Sequence, residues 1–162
     1  MKAVTVKELK LELENRSPKE LRELSLRLSK FKKENKELLT YLLFESGDEA
    51  SYIESVKRDL DEQFEERNRK SQYLIKKSLR KILRNTKKYI RYSLKKETEV
   101  ELLIYYCSKL KTITPSIQKN TALQKLYSGL LETIRKKITS LHEDLQFDYE
   151  SELKELEIIK NN

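Results

Sequence analysis

The sequence predicts an all-α protein, because its composition, its capping motifs and its hydrophobic spacing agree. The 162 residues include only two glycines and two prolines, too few for the turns and phosphate-binding loops of β-sandwiches and Rossmann units. Apolar residues recur at helical spacing in nearly every segment. We therefore expect a single domain over residues 1–159, with seven to eight helices packed as antiparallel hairpins and a frayed tail at 160–162. The hairpins form either an orthogonal bundle or a short helical-repeat stack.

Two capping boxes predict the first two helix starts. In each box, a hydroxyl and a glutamate three residues later satisfy each other's free backbone N–H groups. Thr5 pairs with Glu8 in the first box, and Ser17 pairs with Glu20 in the second. Pro18 follows the second cap, at the first helical position, where its missing N–H costs nothing. The apolar residues of these two helices follow at helical spacing: Leu9, Leu13, Leu21, Leu24 and Leu28.

The middle of the chain predicts further helix boundaries. A third helix, with Leu38, Leu39, Leu42 and Leu43, is expected to stop at Gly47 in a left-handed conformation. A fourth, from Asp48, places Ile53, Val56, Leu60 and Phe64 on one face. A long helix runs from about Ser71 to Leu94, and Thr98 is expected to cap the next one. Residues 37–41 and 101–105 share four of five positions, which hints at a repeat.

Later boundaries follow from the same signals. Thr114-Pro115 begins a new segment, which continues as a long amphipathic helix. Gly129 inside that helix marks either a close helix–helix contact or a local weakness. The last helix carries Leu153, Leu156 and Ile159.

The positive charge of the chain is concentrated in one segment. Residues 67–96 carry thirteen Lys and Arg and no Asp or Glu. Because the whole chain carries +8, the other 132 residues together carry −5. On a helix, nine of these cations fall within an arc of roughly 140°, with Ile75, Leu79 and Ile82 opposite and Tyr73 and Tyr92 near the boundaries. These nine form the predicted basic face: Lys76, Lys77, Arg80, Lys81, Arg84, Lys87, Lys88, Arg91 and Lys95.

Three interpretations of the predicted basic face stay open. It is a solvated lysine-rich face, or it is neutralised by the acidic stretches within residues 59–66 and 143–157, or it binds anions. Like charges placed side by side repel each other, which is unfavourable unless the face has a function; this favours the interpretation as an anion-binding face. Nucleic-acid phosphate or an acidic protein fits this charge. A lipid surface fits less well, because the apolar side is needed for the core and lacks Trp.

Enzyme and metal chemistry find little support in the residue pattern. One cysteine, Cys107, and one histidine, His142, exclude a Cys/His zinc site. Cys107 lies in an apolar run and is expected to be a buried core residue. His142 with Glu143, Asp144 and Asp148 matches no helical metal motif, so either a capping turn or a solvated acidic turn is expected there. The sequence therefore predicts no catalytic residues, no metal and no cofactor.

The start of the chain and its apolar stretches predict a compartment. Residues 1–8 carry charge where a signal peptide needs an apolar core. The longest mostly apolar stretch, residues 38–44, is far shorter than the ~20 residues that span a bilayer. We expect a soluble cytoplasmic protein that does not engage membranes.

Three segments of the N-terminal part carry a family resemblance. They are residues 6–10 (Val-Lys-Glu-Leu-Lys), 17–21 (Ser-Pro-Lys-Glu-Leu) and 35–39 (Asn-Lys-Glu-Leu-Leu). Their succession resembles a family of small uncharacterised bacterial proteins built of helical hairpins, over about the first 110 residues. The resemblance implies an all-α fold and transfers no activity or site residues.

The function predicted from the sequence is a non-catalytic binding or adaptor module. It uses the predicted basic face for an acidic partner, either a protein or a nucleic acid. The alternative is a structural, self-associating protein, in which the basic helix pairs with its own acidic face or with that of a second copy.

Overall fold

The structure, a computed structural model, describes residues 2–158. The described residues form eight α-helices and no β-strand, which confirms the predicted all-α fold. The helices are α1 (Val6–Glu14), α2 (Pro18–Phe31), α3 (Lys33–Thr40), α4 (Glu49–Glu65), α5 (Gln72–Ser93), α6 (Lys96–Thr112), α7 (Thr121–Ile138) and α8 (Glu143–Glu157). The predicted frayed tail and Ile159 lie outside the described residues.

The contacts of the chain divide it into two compact units, Met1–Phe44 and Glu45–Asn162. We call them the N-terminal unit and the C-terminal unit. The single domain expected over residues 1–159 stays a prediction.

The N-terminal unit contains α1 to α3, and both predicted capping boxes are present. The carboxylate of Glu8 accepts a hydrogen bond from the Thr5 backbone N–H at 2.8 Å. Glu20 accepts from the Ser17 N–H at the same distance. Helices α2 and α3 pack together. Many large apolar side chains of this unit are exposed: Val4, Val6, Leu9, Leu11, Leu13, Leu24, Leu26, Leu28, Phe31, Leu42, Leu43 and Phe44.

The end of the third helix differs from the prediction. α3 ends at Thr40, and the chain then forms a π-helical turn, Tyr41–Glu45. Gly47 does not adopt the left-handed conformation expected of it. The wider turn takes the chain out of the helix, and Asp48 then caps α4 by accepting from the Ser51 N–H at 3.1 Å. No left-handed residue is needed at this junction.

The C-terminal unit is built around α6, which packs against α4, α5, α7 and α8. A helix surrounded in this way is apolar on several sides. Its buried residues accordingly lie on all sides of the helix: Thr98, Val100, Leu102, Leu103, Ile104, Tyr106, Cys107 and Leu110. The face predicted for α4, with Ile53, Val56, Leu60 and Phe64, is buried as expected.

Thr98 does not cap a helix, so that prediction was wrong. α6 begins two residues earlier, after Lys95, and Thr98 lies inside it with 1% of its surface exposed. Its hydroxyl donates to the carboxylate of Glu49 on α4 at 2.6 Å. The side chain of Ser93 donates to the same carboxylate. This tertiary contact holds the turn between α5 and α6.

Gly129 is not a close-contact glycine. A Cβ built at this position would meet no atom of a neighbouring helix within 4 Å, and α7 runs through Gly129 without a break. Of the two interpretations left open by the sequence, the tight helix–helix contact is wrong. Glycine inside a helix costs roughly 1 kcal/mol relative to alanine, so the interpretation as a local weakness is the one that remains.

Candidate anion-binding surface

Helix α5 presents a basic side and an apolar side, as its sequence predicts. Ser71 caps its start by accepting from the Leu74 N–H at 3.3 Å. Leu94 ends it in the left-handed region, with φ 59°. The apolar side packs on α4 and α6. Its buried residues are Ile75, Leu79, Ile82, Leu83, Thr86, Ile90 and Tyr92.

Seven of the nine predicted cations lie on the open side of α5. Six are exposed and Lys76 is half-buried. Within residues 2–158, none of the seven makes an ion pair. We call this set the open basic face: Lys76, Lys77, Arg80, Lys81, Arg84, Lys87 and Arg91.

The other two predicted cations are engaged elsewhere. The ammonium group of Lys88 lies 4.6 Å from the ring centroid of Tyr89 and 5.9 Å from that of Tyr92. Lys95 lies beyond the end of α5, and its ammonium group pairs with Glu49 at 2.9 Å. α5 ends at Ser93, with Leu94 in the left-handed region, so Lys95 is no longer part of the helix. The structure therefore places both outside the open row of cations.

Carboxylates of the first acidic stretch face partners on other helices. The ammonium group of Lys109 lies 2.6 Å from Asp61, and the Tyr105 hydroxyl donates to Asp61 at 2.7 Å. Burial opposes ionisation of Asp61, but these two hydrogen bonds outweigh it and lower the pKa of its carboxyl. Asp59 accepts from the Tyr89 hydroxyl at 2.9 Å. These contacts leave the open basic face without a direct ion partner from this stretch.

The second acidic stretch, residues 143–157, also makes no ion pair with the open basic face. Glu157 pairs with Arg135 of α7. Glu152 lies near Glu101, and burial together with that neighbouring charge raises the pKa of its carboxyl. None of the ion pairs among residues 2–158 joins this stretch to the open basic face. Neutralisation by direct ion pairing within the chain therefore finds no support in the described residues.

A shallow groove of about 460 Å³ runs along the first half of the open basic face. Tyr73, expected near a boundary of the face, lies in this groove and is 67% exposed. Lys77, Arg80 and Arg84 follow it at four, seven and eleven residues, which places all four on one line of the helix. We call it the Tyr73 groove; its lining is Asn68, Tyr73, Leu74, Lys76, Lys77, Ser78, Arg80, Lys81 and Arg84.

A second depression, of about 380 Å³, lies between α4, α6 and α8. Lys57 and Glu101 line it, and the Lys57 ammonium group lies 2.7 Å from Glu101 and 2.8 Å from Glu54. Tyr149 and Glu152 also line it. No sequence signal could have located this cluster, because its members come from three helices distant along the chain.

The two residues singled out for chemistry take structural positions. Cys107 is fully buried, and burial raises the pKa of its thiol to about 12. His142 caps α8, with its Nδ1 accepting from the Asp144 N–H at 3.4 Å. Of the two alternatives that the sequence left open at His142, the structure shows the capping turn. Residues 2–158 contain no group of three His, Cys, Asp or Glu side chains arranged to hold a metal ion. In the same part of the chain, each helix is too short or too polar to cross a bilayer.

Comparison of the chain with family models, with curated proteins and with solved structures gave no match. The resemblance of the N-terminal segments to small bacterial helical-hairpin proteins therefore stays a prediction.

Proposed function

We propose that this chain is a non-catalytic nucleic-acid-binding module, in which the open basic face of α5 contacts the phosphate backbone. One observation carries the proposal: seven cations lie along one side of one helix without an ion pair in the described part of the chain. Uncompensated charges of one sign repel each other, and a polyanion relieves that repulsion.

The spacing of the cations favours nucleic acid over an acidic protein. Five of them follow one line of α5, at intervals of three or four residues: Lys77, Arg80, Arg84, Lys87 and Arg91. At 1.5 Å per residue the row is about 21 Å long. A nucleic-acid strand presents a regular row of single negative charges, whereas protein surfaces mix both signs. An unbroken row of one sign therefore suits a phosphate backbone.

The attachment of α5 supports the same function. Leu79 has no exposed surface and lies on the side opposite the row. Its carbonyl accepts a hydrogen bond from the hydroxyl of Tyr106 on α6 at 3.0 Å. The helix is thus fixed before a ligand arrives, and binding does not have to order it. Contacts to phosphate carry no base information, so we expect little sequence preference.

A salt titration tests this function. A fluorescein-labelled 20-base-pair DNA should bind with micromolar affinity or weaker near physiological salt. Four to five phosphate contacts predict a slope of log Kd against log salt of roughly 4, from about 0.9 per contact. Two duplexes of unrelated sequence should give the same slope. Tight binding that does not respond to salt, or no binding at low salt to either a duplex or a single strand, would contradict the proposal.

A further inference from the structure

Tyr73 differs from the other tyrosines of the chain. Of the nine, all of which lie within the described residues, it alone is exposed; six are buried, and Tyr89 and Tyr105 are half-buried. Tyr89 donates its hydroxyl to Asp59, and Tyr105 donates to Asp61. The ring of Tyr73 has neither an aromatic nor a hydrogen-bonding partner in the described part of the chain. An exposed ring without an aromatic or hydrogen-bonding partner is available to a ligand.

The surroundings of Tyr73 indicate what that ligand is. The ring shares its groove with five cations, the nearest in sequence being Lys76 and Lys77. The row from Tyr73 to Arg84 spans about 16 Å along the helix, at 1.5 Å per residue. An aromatic ring at the end of a row of cations is the combination that binds single strands, where bases stack on the ring and phosphates lie along the charges.

We propose that the Tyr73 groove binds single-stranded nucleic acid, with one base stacked on Tyr73 and the adjoining phosphates on Lys77, Arg80 and Arg84. This inference rests on the function proposed above and specifies its substrate. A base inside a duplex already stacks on its neighbours and cannot reach the ring. The groove therefore discriminates between the two forms through Tyr73, while the cations serve both.

Two substitutions at Tyr73 test the inference. Binding of a labelled 12-nucleotide oligo-dT is compared with binding of a hairpin duplex that carries the same number of phosphates. Tyr73→Ala should weaken single-strand binding about 5- to 150-fold, the equivalent of one stacked base. It should change duplex binding less than twofold and leave the salt slope unchanged. Tyr73→Phe keeps the ring and should retain the parent affinity.

The matched control is Phe147→Ala. Phe147 is a ring on α8 that is 77% exposed and lies outside the groove. Its removal should not alter either affinity.

The inference is overturned if Tyr73→Ala changes neither affinity, if it weakens binding of both forms equally, or if Phe147→Ala has the same effect. If the parent binds neither form, the proposed function fails as well; if it binds both forms equally and ignores Tyr73, only this inference fails.

Discussion

Reversal of Arg80, Arg84, Lys87 and Arg91 to glutamate is expected to abolish nucleic-acid binding. The four residues occupy one line of α5 and are exposed. Each reversal removes an attraction to phosphate and adds a repulsion, and binding of this type draws its free energy from released counterions. We expect the affinity for a labelled oligonucleotide at 50 mM salt to fall at least 100-fold.

The same variant is expected to keep its stability. Exposed charges contribute only about 0–1 kcal/mol per pair, and these four make no ion pair within residues 2–158. Relief of self-repulsion along the row should hold the Tm constant or raise it. A marked fall in Tm would instead show that the acidic stretches neutralise the face internally. Lost binding with an unchanged Tm separates the proposed function from that interpretation.

A charge-matched control separates location from net charge. Reversal of four exposed cations on other helices, Lys19, Arg22, Lys136 and Lys154, lowers the net charge of +8 by the same amount. If the row on α5 is the site, this control should lose much less affinity than the α5 variant. Equal losses in the two variants would contradict a localised site.

Self-association through the basic helix predicts a different result. In that alternative, the parent shows a salt-dependent monomer–dimer equilibrium by sedimentation and does not bind polyanions. The α5 reversal would then dissociate the dimer. The nucleic-acid function instead predicts that the reversal changes oligonucleotide binding and leaves the sedimentation of the free protein unchanged.

Replacement of Tyr106 by alanine should lower the free energy of unfolding more than any other substitution proposed for this chain. Tyr106 is fully buried, and its ring centroid lies 5.5 Å from that of Phe64 on α4. Burial also raises the pKa of its hydroxyl, which donates to the Leu79 carbonyl on α5. One side chain thus joins the central helix to two neighbours. Truncation of a buried aromatic residue costs about 3–5 kcal/mol, a large part of the roughly 5–15 kcal/mol that stabilises a domain.

Urea denaturation followed by circular dichroism measures this loss. Tyr106→Phe removes only the hydroxyl and should cost about 1 kcal/mol. Tyr73→Ala, an exposed site on α5, should stay within about 0.5 kcal/mol of the parent. A loss below 1 kcal/mol in Tyr106→Ala would contradict the packing of α6 against α4 and α5.

Local signals explain which parts of the fold the sequence could predict. The capping boxes at Thr5 and Ser17 act within three residues, so their pattern is complete in the sequence. The two sides of α5 follow from its periodicity for the same reason. Thr98 was misassigned because its hydroxyl is used by Glu49, which lies 49 positions earlier in the chain.

The candidate site was predictable only in part. The row of cations can be recognised in the sequence as a run of Lys and Arg without Asp or Glu. In the structure, seven of the nine predicted cations lie on the open side of α5. Lys95 forms an ion pair with Glu49 on α4, and no pattern near Lys95 in the sequence predicts that pair. Tyr73 could have been placed on the row by counting turns from Lys77 and Arg80. The exposure of Tyr73 could not be predicted, because it depends on which helices cover α5.

Mapping the bound nucleic acid onto the protein tests the central claim most directly. The ¹⁵N-labelled protein is titrated with the 12-nucleotide single strand at low salt, and backbone amide shifts are followed by NMR. We expect the largest changes within α5, Gln72–Ser93, on residues of the open basic face and at Tyr73. They should disappear in the four-residue reversal variant. Changes concentrated outside α5, with the amides of the open basic face unmoved, would contradict the account.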